Sequence, residues 1–139
     1  MRQKLEILLY LLALVLVLVI ASAPPAHAAW TDDEWLAHIA MAEAEDEPIE
    51  GKALVICTVL NRVASADFPN TVAEVTTQRG QFPVGSRLYL EPNEDCWKAL
   101  EMVRNCEVNG EGCLYFESLK GRWSWCEYIK TVGGHEFYR

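Results

Sequence analysis

An uncharged apolar stretch runs from Ile7 to Ala23, preceded by Arg2 and Lys4 and closed by Pro24-Pro25 and the small-residue pattern Ala26-His27-Ala28. It reads as a secretory signal over residues 1–28 with cleavage before Ala29, because the two prolines break the helix where a signal peptidase needs an extended segment. The stretch is 17 residues long, at the short end of the ~17–25 that cross a bilayer as a helix. An uncleaved anchor is therefore the competing reading. In either case the fold must be built from the remaining 111 residues, 29–139, and outside the cytoplasm.

That remainder can bury a core. The chain is 51% apolar, only 23% charged and carries five Trp, which suits one domain and no more. The formal charge of the whole chain is −8, and removing Arg2, Lys4 and Glu6 leaves the exported part at about −9. So acidic a surface is repelled by phosphate backbones and anionic lipid. No nucleic-acid partner is expected, nor any membrane contact beyond the signal segment, and a monomer is expected. The charge itself is a solubility feature before it is a binding site.

All five cysteines (Cys57, Cys96, Cys106, Cys113, Cys126) fall in the exported part, where disulfides form and persist. Five is odd, so at least one is free or intermolecular. Cys57 is the candidate, since Ala53, Ile56, Cys57 and Leu60 share an apolar helix face that buries its thiol. Cys96, Cys106, Cys113 and Cys126 could then form two bridges in any of three connectivities. No metal site is expected, because these spacings contain no C-x₂₋₄-C knuckle. A buried thiol is also a poor nucleophile.

Along the chain, Thr31-Asp-Asp-Glu34 has the form of a capping box and starts a helix at Asp32, whose buried face carries Trp35, Ile39 and Ala42. Glu45-Asp46-Glu47-Pro48 breaks it, and Asp46 is positioned to cap a second, central helix running to about Val63. Asn70 is read as the cap of a short helix over 71–77. Residues 78–91 show no period and form a candidate cleft wall. A third long helix opens at Pro92 or Asn93 and reaches about Cys106, with Cys96, Trp97, Leu100 and Val103 on one face. Residues 113–117 and 127–132 read as strands, and Gly133-Gly134 turns the chain into a last strand over 135–138. The expected class is α+β, a helical body with a small antiparallel sheet near the C-terminus.

Glu43 is the clearest polar group in apolar surroundings. It lies one residue past Ala42 and four past Ile39, on the edge of the face that holds the first helix to the core. Burial there, helped by the charges of Glu45, Asp46 and Glu47, would keep its proton near neutral pH and make it a general acid. The plainer alternative is a Glu that ends a helix at the surface. Phe82, Tyr89, Tyr115, Phe116, Trp123, Trp125 and Tyr138 would suit stacking on sugar rings, although most are expected in the core. Gln81 can fix a sugar substituent through its amide. His135 reads as a structural donor.

Six blocks then carry a resemblance: Ala42-Glu-Ala-Glu-Asp-Glu-Pro-Ile-Glu-Gly51, Val59-Leu-Asn-Arg-Val63, Phe68-Pro-Asn70, Gly80-Gln-Phe82, Leu114-Tyr-Phe116 and Gly134-His-Glu-Phe-Tyr138. In this order they resemble the SleB-type cell wall hydrolases, the spore-cortex-lytic enzymes, over about Trp35 to Arg139. The resemblance implies a small lysozyme-like α+β catalytic domain over 29–139. It implies cleavage of peptidoglycan between N-acetylmuramic acid and N-acetylglucosamine by lytic transglycosylation without a cofactor. It puts the catalytic acid at Glu43 and substrate contacts at Gln81, Phe82, Tyr115 and Tyr138, with Glu47 an auxiliary acid only if the reaction is hydrolysis. Met41 stands where the family has Tyr, and Glu45-Asp46 where it has Arg-Gly. The alternative function is a catalytically silent wall-binding or spore-coat module on the same fold.

Overall fold

The capping box forms as read. The Thr31 hydroxyl accepts from the Glu34 amide while the Glu34 carboxylate accepts from Thr31 N, and helix α1 runs Asp32–Ala44. This computed structural model describes Glu6, Tyr10 and residues 30–82, 85–118 and 123–139. Glu6 and Tyr10 apart, the expected signal segment lies outside them. Among the described residues no helix is long and apolar enough to cross a membrane.

Helix α2 spans Ile49–Ala64. Asp46 does not cap it. Pro48 holds the N-cap position at φ −56°, ψ 157° with no side-chain cap, since its ring already presets the extended-to-helical turn. Helix α3, Val72–Thr77, is capped by the Thr71 hydroxyl on Glu74 N and not by Asn70. Helix α4 spans Glu94–Arg104 behind an Asn93 cap. Its buried residues are Cys96, Ala99 and Leu100, whereas Trp97, expected on that face, is 42% exposed.

Helix α2 is the centre of the body, packed against α1, α3, α4 and strand β1. Ala53, Leu54, Val55, Ile56 and Val59 are fully buried along it. The strands are β1 (Tyr115–Ser118), β2 (Tyr128–Val132) and β3 (His135–Tyr138), joined antiparallel in the order β1-β3-β2. Because β3 is central, all four of its residues are buried. Between α3 and α4 the expected irregular wall holds a 3₁₀ turn at Ser86–Tyr89. The α+β reading therefore stands.

The cysteines depart from expectation. All five are free thiols. Cys96 packs with its sulfur 3.9 Å from that of Met41 on α1, while Cys113 Sγ lies 3.2 Å from Thr58 Oγ1 on α2. Each is therefore buried in a different part of the core, against its own partner. Cys57 is buried as expected, but close to Cys113, whose nearness helps push its pKa up to about 11 behind the larger effect of burial.

Candidate active site

Glu43 is the penultimate residue of α1, and the backbone on both sides of it is tied down by cations. The Ala42 carbonyl accepts from Arg87 Nε (3.1 Å) and Nη2 (2.9 Å). Lys52, only 1% exposed, donates from Nζ to the carbonyls of Ala44 (2.6 Å), Glu45 (2.8 Å) and Glu47 (2.6 Å). A helix C-terminus leaves such carbonyls without intrahelical donors, and positive charge complements its dipole. Ala42 and Ala44, both buried, let the helix end press against the body.

The Glu43 side chain faces a cleft of about 410 Å³, within the ~300–1,000 Å³ range of ligand pockets. Arg62 of α2, Gly80 and Gln81 from the loop after α3, and Tyr115, Phe116 and Glu117 of β1 share its walls. Ser118, Trp123, Trp125 and His135 complete them. Burial raises the Glu43 pKa to about 7, against the opposing pull of Arg87 and then Arg62. The acidic neighbours are not the cause expected from the sequence. Glu45 and Asp46 are exposed, and Glu47 turns elsewhere.

Gln81 and Tyr115 line this cleft with Glu43. Phe82 and Tyr138 stand behind it. Phe82 is buried with its ring 5.0 Å from the Arg62 guanidinium, and Tyr138, fully buried, donates its hydroxyl to Glu136 Oε2 at 2.8 Å. Glu47 is not part of the cleft wall. Its Oε2 accepts from Gly134 N at 2.8 Å, and its Oε1 lies 3.4 Å from His135 Nδ1, close enough to pair charges but without hydrogen-bond geometry. It clamps the β2–β3 turn to the start of α2.

Arg62, Glu117 and Ser118 are cleft residues that sequence reasoning passed over. Arg62 is 4% exposed, donates from Nε to Leu114 O at 2.7 Å, and lies under Phe68, Phe82 and Tyr115 at 5.0, 5.0 and 5.7 Å. A guanidinium on the apolar central helix α2 was the available signal, of the same kind that picked out Glu43. Among the described residues no group of three or more His, Cys, Asp or Glu is arranged to hold a metal ion.

A helical body, a three-stranded sheet and a carboxyl at a helix end, facing an aromatic-walled cleft, define a class of small α+β domain with a candidate active site between body and sheet. The chain resembles two solved members. One is the catalytic domain of a germination-specific lytic transglycosylase, SleB, from Bacillus anthracis (TM-score 0.69, 31% identity, 84% of this chain and 100% of that one). The other is the catalytic domain of the Bacillus cereus SleB protein (TM-score 0.69, 32% identity, 78% and 89%). The sequence model described as Cell Wall Hydrolase matches residues 46–138, and the chain belongs to that family. Glu43 stands just ahead of the matched span. A spore cortex-lytic enzyme of Bacillus cereus is 34% identical over 112 residues, 76% of this chain and 43% of its own length. That of Bacillus subtilis is 32% identical, over 76% and 37%. The chain thus spans less than half the length of these relatives.

Proposed function

We propose that residues 29–139 cleave peptidoglycan glycan strands between N-acetylmuramic acid and N-acetylglucosamine as a lytic transglycosylase, outside the cytoplasm. The observation that carries this is the Glu43 carboxyl, which shares the cleft with Glu117 and is turned into it with its pKa raised to about 7 by burial. Half-protonated at neutral pH, such a group can both give and take a proton.

Glu43 donates its proton to the glycosidic oxygen, and the C1–O bond breaks as an oxocarbenium-like state develops at the muramic-acid ring. The carboxylate left behind then accepts the proton of the muramic C6 hydroxyl as that oxygen attacks C1. The product carries a 1,6-anhydro ring, and no water is consumed. One carboxylate suffices, whereas hydrolysis generally needs a second at ~5–9.5 Å. Arg87 and Arg62, which lower the Glu43 pKa, stabilise the anionic half of the cycle. The relatives' names, spore cortex-lytic enzyme and lytic transglycosylase, support the same reading.

The test is mass spectrometry of glycan released from purified peptidoglycan by wild type and Glu43→Gln. Anhydro-muramic ends from wild type and no cleavage by Glu43→Gln are expected. Reducing muramic ends would replace transglycosylation with hydrolysis, and cleavage by Glu43→Gln would remove Glu43 from the reaction.

A further inference from the structure

Trp125 is 66% exposed, yet it is held in place. Its indole is stacked on Trp123 (4.9 Å between ring centres, 17° between planes), and Trp123 is stacked in turn on the buried Tyr138 (5.0 Å, 16°). Tyr115 meets Trp125 edge-on at 5.4 Å and 71°. The column is anchored at Tyr138 and just past Trp125. Tyr138 lies in the central strand, its hydroxyl bonded to Glu136. Just past Trp125, Glu127 and Arg139 exchange two backbone hydrogen bonds (2.9 and 3.0 Å), and their side chains pair at 2.9 and 2.8 Å.

A large aromatic left in water forgoes the stabilisation of burial, about 25 cal/mol per Å² of apolar surface. Trp97 and Tyr89 are exposed too, but only Trp125 borders the cleft that holds Glu43. With one face against Trp123 and an edge against Tyr115, its remaining face forms a flat, apolar and pre-oriented part of the cleft wall. Pyranose rings present a complementary surface, a face of axial C–H groups that packs on the negative face of an aromatic ring. Because the ring is already ordered, little conformational entropy is lost on binding.

We propose that Trp125, backed by Trp123 and Tyr138, is the stacking platform of a sugar subsite for an N-acetylhexosamine ring in the cleft. This rests on the glycan-cleavage reading above but is read out by binding, which that reading's test does not use. A short soluble oligomer of alternating N-acetylglucosamine and N-acetylmuramic acid is titrated into the full chain carrying Glu43→Gln, with tryptophan fluorescence and calorimetry as readouts. Trp125→Ala in that background is expected to weaken binding about tenfold, or about 1.4 kcal/mol. Trp125→Phe should restore most of it, and thermal unfolding of both should match the parent because the ring is exposed. In the otherwise wild-type chain, Trp125→Ala should raise KM far more than it lowers kcat.

Equal affinity of Trp125→Ala and its Glu43→Gln parent overturns the platform and leaves the cleavage reading intact. Binding by Trp125→Phe no tighter than by Trp125→Ala also overturns it, since the contact would then not be aromatic. Absence of any binding by the Glu43→Gln chain overturns both, whereas glycan cleavage by that chain overturns only the role of Glu43.

Discussion

The ammonium of Lys52 donates to the carbonyl of Ala44 at 2.6 Å, one residue beyond the carboxyl that faces the cleft. With the carbonyls of Glu45 and Glu47 it makes a three-acceptor cap inside the protein. The same nitrogen therefore ends α1, shapes the break before α2 and sets the direction from which Glu43 leaves the backbone. Lys52→Met keeps much of the apolar stem but strands the carbonyls of Glu45 and Glu47, while Ala44 O keeps its bond from Glu47 N at 3.0 Å, so a loss of about 2 kcal/mol or more is expected. Urea unfolding measures it. Cleavage activity should fall further than the loss of folded protein explains, because the backbone of Glu43 is no longer fixed.

The ionisation of Glu43 links stability and activity to pH. Its pKa is about 7 in the folded chain against an ordinary 4.5. Below 4.5 the group is protonated in both states and has no effect. Between 4.5 and 7 the unfolded chain releases the proton and the folded chain keeps it, so stability falls as pH rises and levels off above 7. The deficit there is at most about 3 kcal/mol at 1.36 kcal/mol per unit. Glu43→Gln should therefore be the more stable protein at pH 8 and equal to wild type at pH 4, as denaturant titrations at the two values would show. Wild-type cleavage should decline as pH passes 7, because the proton donor is lost.

Arg87 is the stronger of the two cations that oppose burial at Glu43. Replacing it by Gln keeps an amide near the Ala42 carbonyl but removes the charge. The Glu43 pKa then moves up, and the decline of activity with pH moves to more alkaline values. A profile that stays in place, or moves to acid, would mean that the guanidinium does not act on Glu43.

What the sequence made legible was local. The Thr31–Glu34 box and the Gly133-Gly134 turn are set by residues within four positions of each other, and Glu43 stood out because a carboxylate on an apolar helix edge is already an anomaly within one turn. The hidden parts depend on distant partners. Arg87 reaches Ala42 across 45 residues, and Glu47 reaches Gly134 across 87. Read as one of three adjacent acids, Glu47 carried no sign that it alone would turn inward. Of the four cysteines that could have formed two bridges, Cys96 packs against α1 and Cys113 against α2, placements that depend on distant partners and not on spacing.

Glu47 and the turn it holds can be separated from catalysis. Gly133 adopts φ +57°, and a Cβ there would overlap Glu47 Oε2. Gly133→Ala combines backbone strain with that clash and should destabilise by about 1–3 kcal/mol. Glu47→Gln weakens the bond to Gly134 N and should lower the melting temperature while leaving the products of the proposed glycan cleavage unchanged. If Glu47→Gln instead abolished cleavage with no loss of stability, Glu47 would be an acid of the reaction and not a clamp.

The thiols should divide by burial when the native protein is alkylated. Cys106 is exposed just past α4, and iodoacetamide at pH 8 should label it first. Cys57, with its pKa pushed up to about 11, is thiolate in only about one molecule in a thousand at that pH, and the thiolate is the reactive form. Cys113 is fully buried, and burial raises its pKa as well. Both should react only at the rate at which the fold opens, so their labelling measures opening of the α2 and β1 packing directly. Peptide mass spectrometry of timed samples reads each site separately. Equal rates at Cys57 and Cys106 would mean that the packing around α2 opens freely, which the fully buried Leu54, Val55 and Ile56 beside Cys57 argue against.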